Sequence, residues 1–158
     1  KERAENIMIT DLVRNDLSRI AKRNSVGVDE LCEVYSYKTV HQMISTISAQ
    51  LEEGRNPLDA IDVTFPMGSM TGAPKIRAME LIDACESFPR GLYSGSIGYI
   101  DPEMNFDLNV VIRSILYNDS AEMYAIRTGS ALTSLSNAEF EYNECLLKAQ
   151  SMLDAIRT

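Results

Sequence analysis

The sequence contains no apolar run approaching the ~20 residues needed to cross a bilayer, and no signal-peptide pattern ahead of its first motif, so no membrane partner is expected. It also lacks an initiating Met: Lys1 already sits at the edge of a helical pattern, so the chain reads as a piece of something longer. Cysteine is scarce. Cys32, Cys85 and Cys145 are odd in number, widely spaced and in no CxxC pair, which fits reduced thiols in a cytoplasmic protein and gives no metal-ligand spacing. Basic charge is in deficit as well. With 15 Lys and Arg against 23 Asp and Glu the net charge is −8, which argues against nucleic acid as a partner. There is no internal repeat and no low-complexity segment. What remains is 158 residues at 45% apolar, enough to bury a core and read as one domain spanning 1–158.

Acidic residues are present in a pattern. Glu2/Glu5 and Glu141/Glu144 are Glu-x-x-Glu pairs near the two ends of the chain, and residues three apart on a helix are surface neighbours. If the two terminal helices pack side by side, unpaired carboxylates brought together there cost several kcal/mol of repulsion and desolvation. A hard divalent ion such as Mg²⁺, which prefers oxygen ligands, removes that cost. The plain alternative is two solvated helix surfaces.

From Glu2 to about Lys22, the residues Ile9, Leu12, Val13, Leu17, Ile20 and Ala21 recur at helical spacing. Residues 28–37 and 40–51 read as strands. Asn56-Pro57 supplies an N-cap and first-turn Pro for a short helix through Phe65, and Pro74 opens another to about Glu86. Residues 92–100 and 105–117 form a predicted hairpin around DPEMN, with Arg113 on the polar side of the second strand. A third strand near 121–128 follows. Ser136 and Glu139 make a capping box for a last helix to about Ile156. On that helix Ala138, Tyr142, Cys145, Ala149, Met152 and Ile156 line up as an apolar stripe, with Glu141, Glu144 and Lys148 on an adjacent face. That row suits either surface ion pairs or a metal and an anion together. The Gly-rich GSMTGAPK, with Lys75 at the start of a helix, is either an anion-binding junction or a structural turn; its spacing is not that of a Walker A loop.

Taken together, KERAENIMITDLVRNDL, TVHQMIST, FPMGSMTGAPKIRAMELID, YSGSIGYI, the VIRS around Arg113 and EYNECLLKA occur in the order and at roughly the spacing of the chorismate-utilising enzymes. The chain resembles the C-terminal part of the chorismate-binding domain of the aminodeoxychorismate synthase component I group, related to anthranilate synthase component I. The resemblance implies an α/β (α+β) fold, a partial chorismate-binding domain with a largely antiparallel two-layer β-sheet core and outer helices. It implies Mg²⁺-dependent amination of chorismate to 4-amino-4-deoxychorismate in para-aminobenzoate and folate biosynthesis, with ammonia supplied by a glutamine amidotransferase partner. By position, Glu5 and Glu144 match metal-binding glutamates, supported by Glu2 and Glu141. Tyr93 and Arg113 match residues holding a chorismate carboxylate, Arg113 by a bidentate fork. Ser69, Gly129 and Lys148 match further substrate contacts, and His41 is the candidate catalytic histidine.

Two departures stand out. Three residues before Ser45, where the family usually has His, this chain has Gln42, with His41 one residue earlier on the opposite side of a strand. The second glycine of the family's Gly-x-Gly turn is Ala131 here, an obstruction if that position needs a positive φ or close approach to substrate. These departures leave open a catalytically silent chorismate-binding module. The family's Pro-Ile-Lys-Gly-Thr segment, whose Lys is the implied nucleophile, does not occur in these 158 residues, and alone they are expected to make no aminated product.

Overall fold

A computed structural model describes residues 1–38 and 40–157; Thr39, the first residue of the TVHQMIST motif, lies outside them. The helix α1 (Glu2–Ser18) forms where the apolar residues recur, with Leu12, Val13 and Leu17 half-buried on one side. It ends short of Lys22 because the chain turns at Arg19 and buries Ile20. Ala21 then bridges to Leu51, and the Lys22 amide donates to the Gln50 carbonyl at 2.8 Å.

Helix α1 packs on an antiparallel ladder of β1 (Gly27–Ser36) and β2 (His41–Ser48). The β1 sequence GVDELCEVYS does not alternate cleanly, and the register slips twice, between Val28 and Glu30 and between Glu30 and Glu33. Such bulges re-aim side chains. Within the second slip Cys32 has φ +57° and is buried. Its thiol donates to Asn6 Oδ1 at 3.3 Å, and its amide donates to Ser45 Oγ at 2.9 Å.

Next come α2 (Asp59–Thr64), a 3₁₀ turn (Gly68–Met70) and α3 (Lys75–Cys85). Asn56 does not cap α2. Its Oδ1 accepts the Leu58 amide at 3.0 Å, forming a turn ahead of the helix. Pro74 is the N-cap of α3.

The expected hairpin is shorter than its sequence pattern. Strand β3 (Ser96–Ile100) pairs with β4 (Phe106–Val110), and residues 92–95 are a turn. Strand β4 does not run on to Tyr117. It stops at Val110, the chain bends so that the Ile112 amide reaches the Val110 carbonyl at 3.0 Å, and Arg113 takes φ +51°. Arg113 is therefore an exposed linker residue and not part of a strand face. After the break, β5 (Ile115–Asn118) pairs antiparallel with β6 (Met123–Ile126), where the rings of Tyr117 and Tyr124 lie 4.9 Å apart.

The last helix, α4 (Ala138–Arg157), is capped by Asn137, whose Oδ1 accepts the amides of Glu139 and Phe140 at 3.1 and 3.2 Å. Ser136 is drawn back into its own loop, accepting the Thr133 amide at 2.9 Å, so the expected capping box does not form. The expected apolar stripe is only partly the buried one. Met152 is buried, Tyr142 and Ile156 are exposed, and Glu141 is buried in their place.

The fold is thus mixed helix and largely antiparallel sheet, divided among the described residues into three two-stranded ladders. Residues Lys1–Pro89 with Tyr99–Asp107 form one compact unit, and Arg90–Gly98 with the chain from Leu108 onward a second. Among the described residues the buried apolar ones are Ile20 and Cys32 in the first and Val111 and Met152 in the second.

Candidate functional site

In the second unit, a turn after Pro89 presents Tyr93. The Ser94 amide donates to the Val111 carbonyl at 3.0 Å, the Val111 amide to the Gly95 carbonyl at 2.9 Å, and the Gly95 amide to the Leu92 carbonyl at 3.0 Å. A Cβ at Gly95 would sit 2.9 Å from that Leu92 oxygen, so this turn admits only glycine there. The Tyr93 hydroxyl lies 2.8 Å from where a Cβ on Gly129 would stand. Any side chain at 129 would collide with it.

The segment carrying Gly129 follows β6 and faces α4. Lys148 donates to the Gly129 carbonyl at 3.1 Å and pairs with Glu144, one turn back on the helix, at 2.5 Å. Glu141, 5% exposed, accepts a hydrogen bond from the Ser130 hydroxyl. Five of the residues singled out in the sequence, Tyr93, Gly129, Glu141, Glu144 and Lys148, therefore meet around one loop. A cavity of about 10 Å³, room for roughly one water, lies beside it between Tyr93, Val111, Ser114, Leu116 and Arg127.

Other nominated residues lie elsewhere. In the first unit, His41 opens β2 opposite Ser36, and its Nδ1 lies 3.0 Å from Ser36 Oγ. Strand alternation puts His41 on the same face as Ser45, which bonds Asn6 of α1, and puts Gln42 on the other. Ser69 is exposed within the 3₁₀ turn. Lys75 is not available to an anion: its ammonium is held 2.6 Å from Asp16 Oδ2. The cleft of about 220 Å³ in this unit, bordered by Leu17, Ile20, Gln50, Leu51, Pro57 and Phe106 among others, has no charged side chain among its described lining residues to pair with a dicarboxylate. The glutamates fall as one pair in each unit, Glu2 and Glu5 on α1, Glu141 and Glu144 on α4.

A sequence profile described as chorismate binding enzyme matches residues 1–154. The chain belongs to the chorismate-binding enzymes. Within this family it is 50% identical to a probable chloroplastic aminodeoxychorismate synthase of Oryza sativa subsp. japonica over 152 residues, 96% of this chain and 17% of that protein. It is 46% identical to the aminodeoxychorismate synthase of Streptomyces griseus over 158 residues, all of this chain and 22% of the relative. Among solved structures, anthranilate synthase component I from Streptococcus pneumoniae TIGR4 superposes with a TM-score of 0.88 at 37% identity, covering 96% of this chain and 34% of that one. The chain spans 17–34% of the length of these proteins.

For a chorismate-binding enzyme, the Glu141/Glu144 pair is a donor set that fits Mg²⁺, which takes one or two carboxylates and keeps several waters. Among the described residues no group of three or more His, Cys, Asp or Glu side chains is gathered for a metal ion. Ala131, in place of the family glycine, is not among the residues with positive φ, so its backbone does not demand glycine. Arg90, Arg127 and Ser130 border the site as well. No motif spacing marks them: Arg90 bonds Ser94 and stands over the Tyr93 ring within its own turn, and Ser130 bonds Glu141 across the loop ahead of α4. Among the described residues no helix is long and apolar enough to cross a membrane.

Proposed function

We propose that the protein containing this chain aminates chorismate to 4-amino-4-deoxychorismate, for para-aminobenzoate and folate biosynthesis. The observation that carries this reading is the 46–50% identity to aminodeoxychorismate synthases along essentially the whole chain. The site chemistry supports it. Chorismate carries two carboxylates, and Lys148, held by Glu144 and the Gly129 carbonyl, places an ammonium beside the Tyr93 hydroxyl and the bare backbone of Gly129. A hydroxyl donor and a fixed cation around an uncovered backbone suit carboxylate recognition. Arg113, exposed on its linker in the same unit, adds a bidentate donor; in the other unit Ser69 remains the candidate hydroxyl contact and His41 the candidate for proton transfer.

Glu144 with Glu141 on α4, and Glu5 with Glu2 on α1, are the two carboxylate pairs we assign to Mg²⁺ binding. When bound, the ion offsets charge on the carboxylate and on the departing hydroxyl. Ammonia is assigned to a glutamine amidotransferase partner, and the free cysteines support a cytoplasmic location.

The 0.88 TM-score with an anthranilate synthase favours a second reading, in which the product is anthranilate. One assay separates them. The complete protein, given chorismate, Mg²⁺ and an ammonium salt, is expected to yield an aminated product that keeps its enolpyruvyl group. Stoichiometric pyruvate release with a fluorescent aromatic amine overturns the assignment in favour of anthranilate synthase. Chorismate binding without turnover overturns both in favour of a silent module.

A further inference from the structure

We propose that Arg90 is a positioning residue for Tyr93, an inference that rests on the reading of Tyr93 as a chorismate contact. The backbone of the turn is already fixed by its three main-chain hydrogen bonds and by Gly95, so what remains mobile at Tyr93 is the side chain. It is braced at its tip and on its face. At the tip, the hydroxyl abuts the Gly129 backbone. On the ring face, the guanidinium carbon of Arg90 stands 5.9 Å from the ring centroid, within reach of a cation–π attraction.

Arg90 is itself anchored. Its Nη1 donates to Ser94 Oγ at 3.1 Å, and Ser94 is buried at the centre of the turn with φ +70°. The order of support runs from the rigid turn to Ser94, from Ser94 to Arg90, and from Arg90 to the Tyr93 ring. A ring pinned in this way does not have to give up side-chain freedom when a carboxylate arrives, and the cation behind it favours an anion at the hydroxyl. Arg90 thereby contributes to substrate affinity without touching substrate.

A double-mutant cycle on the complete protein tests this, with KM and kcat for chorismate measured for Arg90→Met, Tyr93→Phe and the pair. Arg90→Met is expected to raise KM about 3- to 10-fold with kcat nearly kept, the scale of one cation–π contact. In the Tyr93→Phe background, where the carboxylate contact is already gone, the same change is expected to move KM less than about 2-fold. Arg90→Lys, which keeps a cation over the ring, is expected to recover part of the loss. Should Arg90→Met fold poorly, Ser94→Ala removes the Ser94 hydrogen bond to Arg90 and is expected to give the same pattern at smaller size. Equal effects of Arg90→Met in both backgrounds overturn the positioning role while leaving Tyr93 in the site. No effect of Tyr93→Phe on KM overturns the assignment of Tyr93, and the proposal with it.

Discussion

Asp16 and Lys75 stand 59 positions apart in sequence and meet at 2.6 Å, their side chains only 7% and 14% exposed. The pair ties the start of α3 to the end of α1, and Lys75 also reaches the Thr64 carbonyl at 3.4 Å. Removing one partner leaves the other charge buried without compensation, at about 3–5 kcal/mol. Lys75→Met or Asp16→Leu alone is therefore expected to lower thermal stability sharply. The double variant, with no charge stranded, is expected to regain most of it. Equal melting temperatures for wild type and Lys75→Met would show that the pair contributes little.

Beside that pair, Gly68 is buried against α1, where an added Cβ would lie 2.6 Å from Leu12 Cδ2. Gly68→Ala is expected to cost about 1–3 kcal/mol by overpacking. Combining it with Leu12→Ala relieves the collision, so the two costs measured by denaturant unfolding should not add. Additive losses would mean that Leu12 yields freely.

Arg113 combines an exposed side chain with φ +51°, a conformation that costs a residue with a Cβ roughly 1 kcal/mol. Arg113→Gly is expected to leave stability unchanged within about 1 kcal/mol while raising the chorismate KM, because strain and grip are lost together. Arg113→Lys keeps the charge but not the fork and should also raise KM. Unaltered kinetics in both variants would remove Arg113 from the site.

Glu30 accepts hydrogen bonds from Tyr35 at 2.7 Å and Thr46 at 2.8 Å, and these, Tyr35 first, hold its carboxyl below the usual range. The same bond pushes the Tyr35 phenol up. A lowered carboxylate pKa stabilises the fold above the unfolded value, and that contribution is lost as pH falls through the folded one. The raised phenol stabilises below its unfolded value and is lost as pH rises through its folded one. In an NMR titration, Tyr35→Phe should move the Glu30 midpoint upward. A midpoint that stays in place would show that Tyr35 is not the cause.

Expressed by itself, the 158-residue chain is expected to associate, since large apolar side chains such as Phe140 at 79% and Leu147 at 75% stand in solvent. Light scattering across a concentration series checks this. A monodisperse monomer at all concentrations would contradict it.

Local signals in the sequence marked most of the elements: the apolar spacing of α1, Pro74 ahead of α3, the DPEMN turn and the 3.6-residue period of α4 all depend on a few neighbouring residues. The same locality made Glu141, Glu144 and Lys148 recognisable as one row, because residues three and four apart on a helix must be neighbours. Where α1 stops, why β4 breaks before Arg113, and why Asn137 and not Ser136 caps α4 depend on bonds made elsewhere, and residue type alone does not signal them. The hydrogen bond from Ser130 to Glu141 and the capture of Lys75 by Asp16 belong to the same class. Each needs two segments brought together by packing, and only the tertiary structure decides which partner a side chain finds.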